Sequence, residues 1–120
     1  MTLLPPSNAQ KILTSLQIEQ KINRMAYEIL EINYQEKEIV ILGIEDGGFK
    51  LAGLLAMKIQ TIQNIQIDLF SIFVNKEDLF SETPFIRNVN NSLQNKHIIL
   101  VDDVGNSGAT LFHALQTIYP

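Results

Sequence analysis

The chain has 120 residues, of which 46% are hydrophobic and 18% are charged, so its composition is that of a folded domain and excludes a disordered segment. The net charge of −4 argues against a broad nucleic-acid-binding surface, and the absence of cysteine excludes disulfides and thiolate zinc sites. No apolar run is long enough to span a membrane, and the first residues lack a signal-peptide pattern. We therefore expect a single cytoplasmic domain covering residues 1–120.

The first predicted element is a helix. Residues 1–13 contain Pro5-Pro6 and are predicted to form an irregular lead-in. Thr14 and Gln17 then have the spacing of a capping box, and apolar residues recur at intervals of three and four from Ile18 to Leu30. This pattern predicts an amphipathic helix of about 18 residues that ends near Asn33.

Strands and helices alternate through the rest of the chain. Apolar runs at residues 38–44 and 97–101 predict two buried strands, residues 65–74 predict a further strand, and helical patterns follow Gly48 and Gly108. This order favours a parallel α/β sheet with right-handed connections. Residues 75–95 are polar and predict either a mobile functional loop or structure that the pattern does not reveal.

Two loops follow strands at the edge where α/β sheets bind ligands. The first, residues 43–48, contains Gly47-Gly48, which also fits a simple tight turn. The second loop, residues 101–110, contains Asp102 and Asp103. Their carboxylates repel each other and need a cation or sugar hydroxyls as compensation. Small residues then lead into a helix, whose free N–H groups could cradle an anion. The second loop therefore indicates a sugar-phosphate site.

Competing motifs are absent from the sequence. It contains no nucleoside-triphosphatase P-loop, no dinucleotide fingerprint after the first strand and no Gly-x-Ser-x-Gly elbow. Instead, residues 98–104 followed by 107–110 resemble the phosphoribosyl-pyrophosphate signature of type I phosphoribosyltransferases. Residues 43–48 are similar to the pyrophosphate loop of that family. The resemblance covers roughly residues 12–118 and is strongest in the branch of the bifunctional uracil phosphoribosyltransferases/pyrimidine-operon attenuators.

The resemblance implies a Rossmann-like, type I phosphoribosyltransferase core, with about three strands present and helices flanking them. It also implies transfer of phosphoribosyl from phosphoribosyl pyrophosphate to a nucleobase nitrogen, with Mg²⁺ as cofactor, in a cytoplasmic homodimer. Asp102 and Asp103 would hold the ribose hydroxyls and, indirectly, the Mg²⁺. The 5′-phosphate would be bound by Asn106, Ser107, Gly108, Ala109 and Thr110. The pyrophosphate would be bound by Glu45, Asp46, Gly47 and Gly48.

Some residues depart from the family pattern. Asn106 replaces the Asp that acts as general base in 6-oxopurine enzymes, which argues against hypoxanthine or guanine as the base. The acids Glu45 and Asp46 would repel pyrophosphate unless Mg²⁺ bridges them. Lys76 and Arg87 could supply positive charge, although a plain surface role is the simpler interpretation. We interpret His97 and His113 as surface or packing residues. Five phenylalanines are interpreted mostly as core or loop anchors, with base stacking by Phe80 or Phe85 as the alternative: Phe70, Phe73, Phe80, Phe85 and Phe112.

Two alternatives share this fold. One is a regulator with weak or absent catalysis, such as an RNA-binding attenuator, and the other is a subunit that oligomerises and has lost its chemistry. The family core continues with further strands after the helix at which this chain stops, at Pro120. We therefore expect a largely complete sugar-phosphate site but reduced or no turnover by the 120-residue chain alone.

Overall fold

The fold was examined in a computed structural model that describes residues 15–75, 77–78, 83–87 and 93–102. Within these ranges the elements are α1 (Ser15–Ile32), β1 (Glu38–Ile44), α2 (Gly47–Ile62), β2 (Gln66–Phe73), β3 (Phe85–Ile86) and β4 (Ile98–Val101). The predicted lead-in at 1–13 and the predicted helix after Gly108 lie outside the described residues.

The strands form one sheet in the order β3-β2-β1-β4. The central strand β1 runs parallel to both neighbours, pairing with β2 from Glu38 to Ile44 and with β4 from Val40 to Gly43. This arrangement confirms the predicted α/β fold with a parallel core. It also places the ends of β1 and β4 side by side, since Gly43 pairs with Val101.

The prediction of about three strands, all parallel, was incomplete. Inside the predicted loop at 75–95, the short strand β3 pairs antiparallel with β2 through Ile72↔Ile86 and Phe73↔Phe85. The sheet in the described residues is therefore mixed and has four strands. A strand of two residues leaves no alternation in the sequence, so only its pairing with β2 defines it.

The main core lies between the sheet and the two helices. Ile39 and Ile41 of β1 are almost fully buried and face Ala26 of α1 and Ile59 of α2 within one apolar cluster. Complete burial of each such isoleucine contributes roughly 1.5–3 kcal/mol. A second, smaller cluster contains Ile44, Ile72 and Val74. Residues after Glu38 are buried throughout β1, which explains its continuous apolar run.

The first turn of α2 packs directly on the end of β1. A Cβ atom at Gly43 would lie 2.3 Å from the Cα atom of Phe49 and 2.7 Å from the carbonyl oxygen of Gly48. Only glycine allows this approach, since both neighbours are backbone atoms. The close packing brings the start of α2 to the edge of the sheet where β1 and β4 end.

Candidate functional site

The two loops that the sequence singled out meet in the structure. A Cβ atom at Gly48, in the first turn of α2, would lie 2.6 Å from the carbonyl oxygen of Val101 and 3.0 Å from the Cα atom of Asp102. The backbone of the first loop thus touches the backbone at the end of β4. Residues 45–48 and Asp102 therefore form one continuous surface at the carboxyl edge of the sheet.

Amide groups and a carboxylate are available on this surface. Helix α2 begins at Gly47, and the Asp46 side chain makes no capping hydrogen bond. The first N–H groups of a helix have no partner within the helix, and the positive end of the helix dipole lies there. Asp46 itself is exposed to solvent. The loop therefore offers both hydrogen-bond donors for an anion and an acid that a cation could bridge.

Glu45 is held away from solvent by two partners on neighbouring strands. Its side chain is only 16% exposed. The Ser71 hydroxyl donates a hydrogen bond of 3.0 Å to Glu45 Oε2, and the Nε–H of Arg87 donates to the same oxygen. The backbone N–H of Glu45 donates to the carbonyl oxygen of Ile72 at 3.0 Å, which extends the β1–β2 ladder by one residue. The peptide bond between Glu45 and Asp46 is cis.

Arg87 directly follows β3 and is fixed from several sides. Its backbone N–H donates to the carbonyl oxygen of Ser71 at 2.9 Å. Its guanidinium carbon lies 5.0 Å from the ring centroid of Phe85 and 5.6 Å from that of Phe73. The hydrogen bond with Glu45 raises the pKa of Arg87, desolvation lowers it by less, and the charges of Glu45 and Asp46 raise it further. Arg87 is therefore a permanent cation paired with Glu45.

The structure brings together every predicted site residue that it describes. Glu45, Asp46, Gly47, Gly48 and Asp102 lie at one edge of the sheet. The remaining candidates lie outside the described residues: Lys76, Phe80, Asp103, Asn106, Ser107, Gly108, Ala109, Thr110 and His113.

Sequence reasoning missed Ser71 and gave Phe73 only a general role as a core or loop anchor. In the sequence, Ser71 is only a polar residue among the apolar residues of β2. Its position beside the loop after β1 follows from the strand register, which pairs Ser71 with Gly43. Phe73 lies with its ring centroid 5.3 Å from that of Phe85. That contact, together with Arg87 over both rings, gives Phe85 the anchoring role predicted for most of the phenylalanines.

Two further ion pairs lie at the amino ends of β1 and β4, at the other end of these strands from the candidate site. Lys96 Nζ lies 2.6 Å from Glu38 Oε1, and His97 Nε2 lies 2.9 Å from Glu36 Oε1. His97 thus has the surface position that the sequence predicted for it. The described part of the chain contains no group of three metal-binding side chains. None of its helices is long and apolar enough to cross a membrane.

Comparison with known proteins identifies the class to which this fold and site belong. The family model of the phosphoribosyl transferase domain matches residues 8–119. The chain therefore belongs to the phosphoribosyltransferase family, in agreement with the resemblance seen in its sequence.

Similar proteins show how much of the family architecture the chain covers. The bifunctional protein PyrR of Oceanobacillus iheyensis is 33% identical over 116 residues, covering 90% of this chain and 64% of the relative. PyrR of Synechocystis sp. is 32% identical over 113 residues, with the same coverage. A purine phosphoribosyltransferase structure from Pyrococcus horikoshii has a TM-score of 0.63 at 27% identity, covering 88% of this chain and 65% of that one. The chain thus spans just under two thirds of the length of these relatives.

Proposed function

We propose that this chain provides the phosphoribosyl-pyrophosphate site of an enzyme that transfers the phosphoribosyl group to a nucleobase nitrogen. The observation that carries the proposal is the contact of Gly48 with Val101 and Asp102, which joins the candidate pyrophosphate loop to the acidic end of β4. In a member of the phosphoribosyltransferase family, such a surface suits a sugar that carries phosphate groups on both sides.

In the proposed reaction, the bond between ribose C1 and the pyrophosphate oxygen breaks, and a bond from the base nitrogen to C1 forms. The electron pair of the broken bond leaves with pyrophosphate, and the proton of the base nitrogen is released to solvent or to a nearby acceptor. The chain contributes positioning and charge stabilisation of the separating groups.

Each part of the site has a role in this proposal. The first amides of α2, at Gly47 and Gly48, donate hydrogen bonds to pyrophosphate oxygens. Asp102, with Asp103, accepts hydrogen bonds from the ribose 2′- and 3′-hydroxyls. Residues 106–110 cradle the 5′-phosphate, as the sequence resemblance implies.

The acids of the site fit Mg²⁺, because carboxylate oxygens are the protein ligands that this ion prefers. Asp46 is exposed beside the start of α2, whereas Glu45 is already engaged by Ser71 and Arg87. Asp46, together with Asp102 directly after β4, would hold the ion directly or through water. When bound, Mg²⁺ neutralises charge on the pyrophosphate leaving group.

Calorimetric titration of the chain with phosphoribosyl pyrophosphate and Mg²⁺ tests the proposal. We expect heat of binding for the wild type and at least tenfold weaker binding for Asp102→Asn, since loss of a charged acceptor for the ribose costs about 1.5–3 kcal/mol. Asp68→Asn is the matched control, because Asp68 lies near the Lys96 edge of the sheet and contributes to the raised pKa of Lys96. Absence of binding by the wild type, or equal binding by Asp102→Asn, would refute the proposal.

A second activity on the same fold is the alternative, and its support is the word "bifunctional" in the names of the curated relatives. RNA binding would need clustered cations. Of the nine basic residues, Arg24, Arg87 and Lys96 pair with acids in the structure. A salt-dependent shift in the electrophoretic mobility of RNA at micromolar protein would favour this alternative. A separate activity screen over a panel of nucleobases, on this chain and on longer forms, would identify the base of the proposed transfer reaction.

A further inference from the structure

The pyrophosphate loop contains two adjacent acids, although the proposed function requires it to receive a polyanion. The structure resolves this conflict for Glu45, because the carboxylate is engaged by Arg87 and Ser71 from the neighbouring strands. We propose that Arg87 is a positioning residue that neutralises Glu45 and so keeps the loop receptive to pyrophosphate. This inference rests on the function proposed above.

The first step of the argument is the burial of Glu45. A carboxylate that is 16% exposed has lost most of its hydration, so it requires a compensating cation or several hydrogen-bond donors. The Ser71 hydroxyl provides one donor at 3.0 Å, and Arg87 provides the only cation that contacts this carboxylate among the described residues. Without Arg87, an unscreened negative charge would lie one residue from Asp46 and two residues from the first amide of α2.

The second step is that Arg87 has little freedom to serve another group. Its backbone is fixed to β2 by the hydrogen bond with Ser71, and its guanidinium lies over the rings of Phe73 and Phe85. Such stacking of a guanidinium on aromatic rings is attractive, because the cation lies against the negative faces of the rings. The raised pKa of Arg87 agrees with its hydrogen bond to the Glu45 carboxylate. Strand β3 thus delivers a fixed positive charge to a loop 42 residues earlier in the chain.

The consequence concerns the charge that an incoming ligand meets. With Arg87 present, Glu45 and Arg87 together are neutral, and Asp46 alone carries the net negative charge of the loop. With Arg87 replaced by a neutral residue, both acids face the ligand. The repulsion of the ligand in the absence of Arg87 comes from the Glu45 carboxylate. Losing Arg87 should therefore have little effect on binding when Glu45 is also replaced by glutamine.

The experiment compares magnesium pyrophosphate binding by calorimetry in the wild type, Arg87→Gln, Glu45→Gln and the double variant. We expect Arg87→Gln to weaken binding about tenfold, as one added charge at close range does. Glu45→Gln should bind more tightly than the wild type, because Arg87 then keeps its charge without a partner acid, and the double variant should recover most of the affinity lost in Arg87→Gln. Arg87→Lys keeps the charge but loses the planar guanidinium that lies over Phe73 and Phe85, so its affinity should fall between those of the wild type and Arg87→Gln.

A purely structural role of the ion pair predicts a different pattern, in which both single variants and the double variant are weakened alike. That pattern, or an unchanged affinity of Arg87→Gln, would overturn the inference while leaving the proposed function standing. Failure of the wild type to bind any pyrophosphate or phosphoribosyl pyrophosphate would instead refute the proposed function, and this inference with it. Arg24→Gln is the matched control, since Arg24 pairs with Glu28 on the exposed side of α1 and its loss should leave affinity unchanged.

Discussion

Replacing Gly48 by alanine tests the contact on which the candidate site depends. The added methyl group would lie 2.6 Å from the carbonyl oxygen of Val101 and 3.0 Å from the Cα atom of Asp102. Both are backbone atoms of the sheet edge, so α2 or the end of β4 must shift. Overpacking of this kind costs about 1–3 kcal/mol, and the better helix propensity of alanine offsets at most about 1 kcal/mol. We expect Gly48→Ala to lower the free energy of unfolding by about 1–2 kcal/mol.

The same substitution at Gly53 provides the control. Gly53 lies in the middle of α2, and a Cβ atom there would have no neighbour within 4 Å. Gly53→Ala should therefore raise the free energy of unfolding by about 0.5–1 kcal/mol. Urea denaturation followed by circular dichroism measures both values. The reasoning is refuted if the two substitutions change stability in the same direction, or if folded Gly48→Ala binds phosphoribosyl pyrophosphate as tightly as the wild type.

Two further predictions concern stability. Ile41→Ala should lower the free energy of unfolding by about 2–5 kcal/mol, whereas Ile32→Ala, at a side chain that is 80% exposed, should change it by less than about 0.5 kcal/mol in the same urea assay. The hydrogen bond with Glu38 raises the pKa of Lys96 above its usual value, so the resulting stabilisation is present below about pH 10 and is lost as the pH rises through the folded-state pKa. The stability difference between the wild type and Lys96→Met should therefore be larger at about pH 8 than at about pH 11, and an equal difference at both would contradict the assignment.

The elements that the sequence predicted well carry their signal locally. Apolar spacing predicted a helix of about 18 residues, and α1 runs from Ser15 to Ile32. It ends where predicted, because the Asn33 side chain donates a hydrogen bond of 2.8 Å to the carbonyl oxygen of Ile29. After Glu38, strand β1 is a continuous buried apolar run, and the limits of β1, β2 and β4 each lie within a residue or so of the prediction.

Strand β3 could not be predicted, because its existence depends on a partner far away in the chain. Two residues, Phe85 and Ile86, give no periodicity, and the polar residues around them are typical of a loop. Their pairing with Ile72 and Phe73 follows from the position of β2 at that side of the sheet. Local sequence patterns contain no information on such register, which is set by tertiary packing.

The same limit explains what the sequence could and could not establish about the site. The acids, the glycines and the family signature are short motifs, so they were visible at once, and parallel strands predicted that the two loops share an edge. The net charge of the loop at residues 45–48 could not be predicted from the sequence, because it depends on which cation pairs with Glu45 in the fold. In the sequence, Arg87 and Lys76 are two cations of the same polar segment, and nothing distinguishes them. In the structure, the position of Arg87 directly after β3 brings it over Phe73 and Phe85 and against Glu45. On the function proposed above, this short strand outside the recognised motifs would decide whether the loop repels or accepts pyrophosphate.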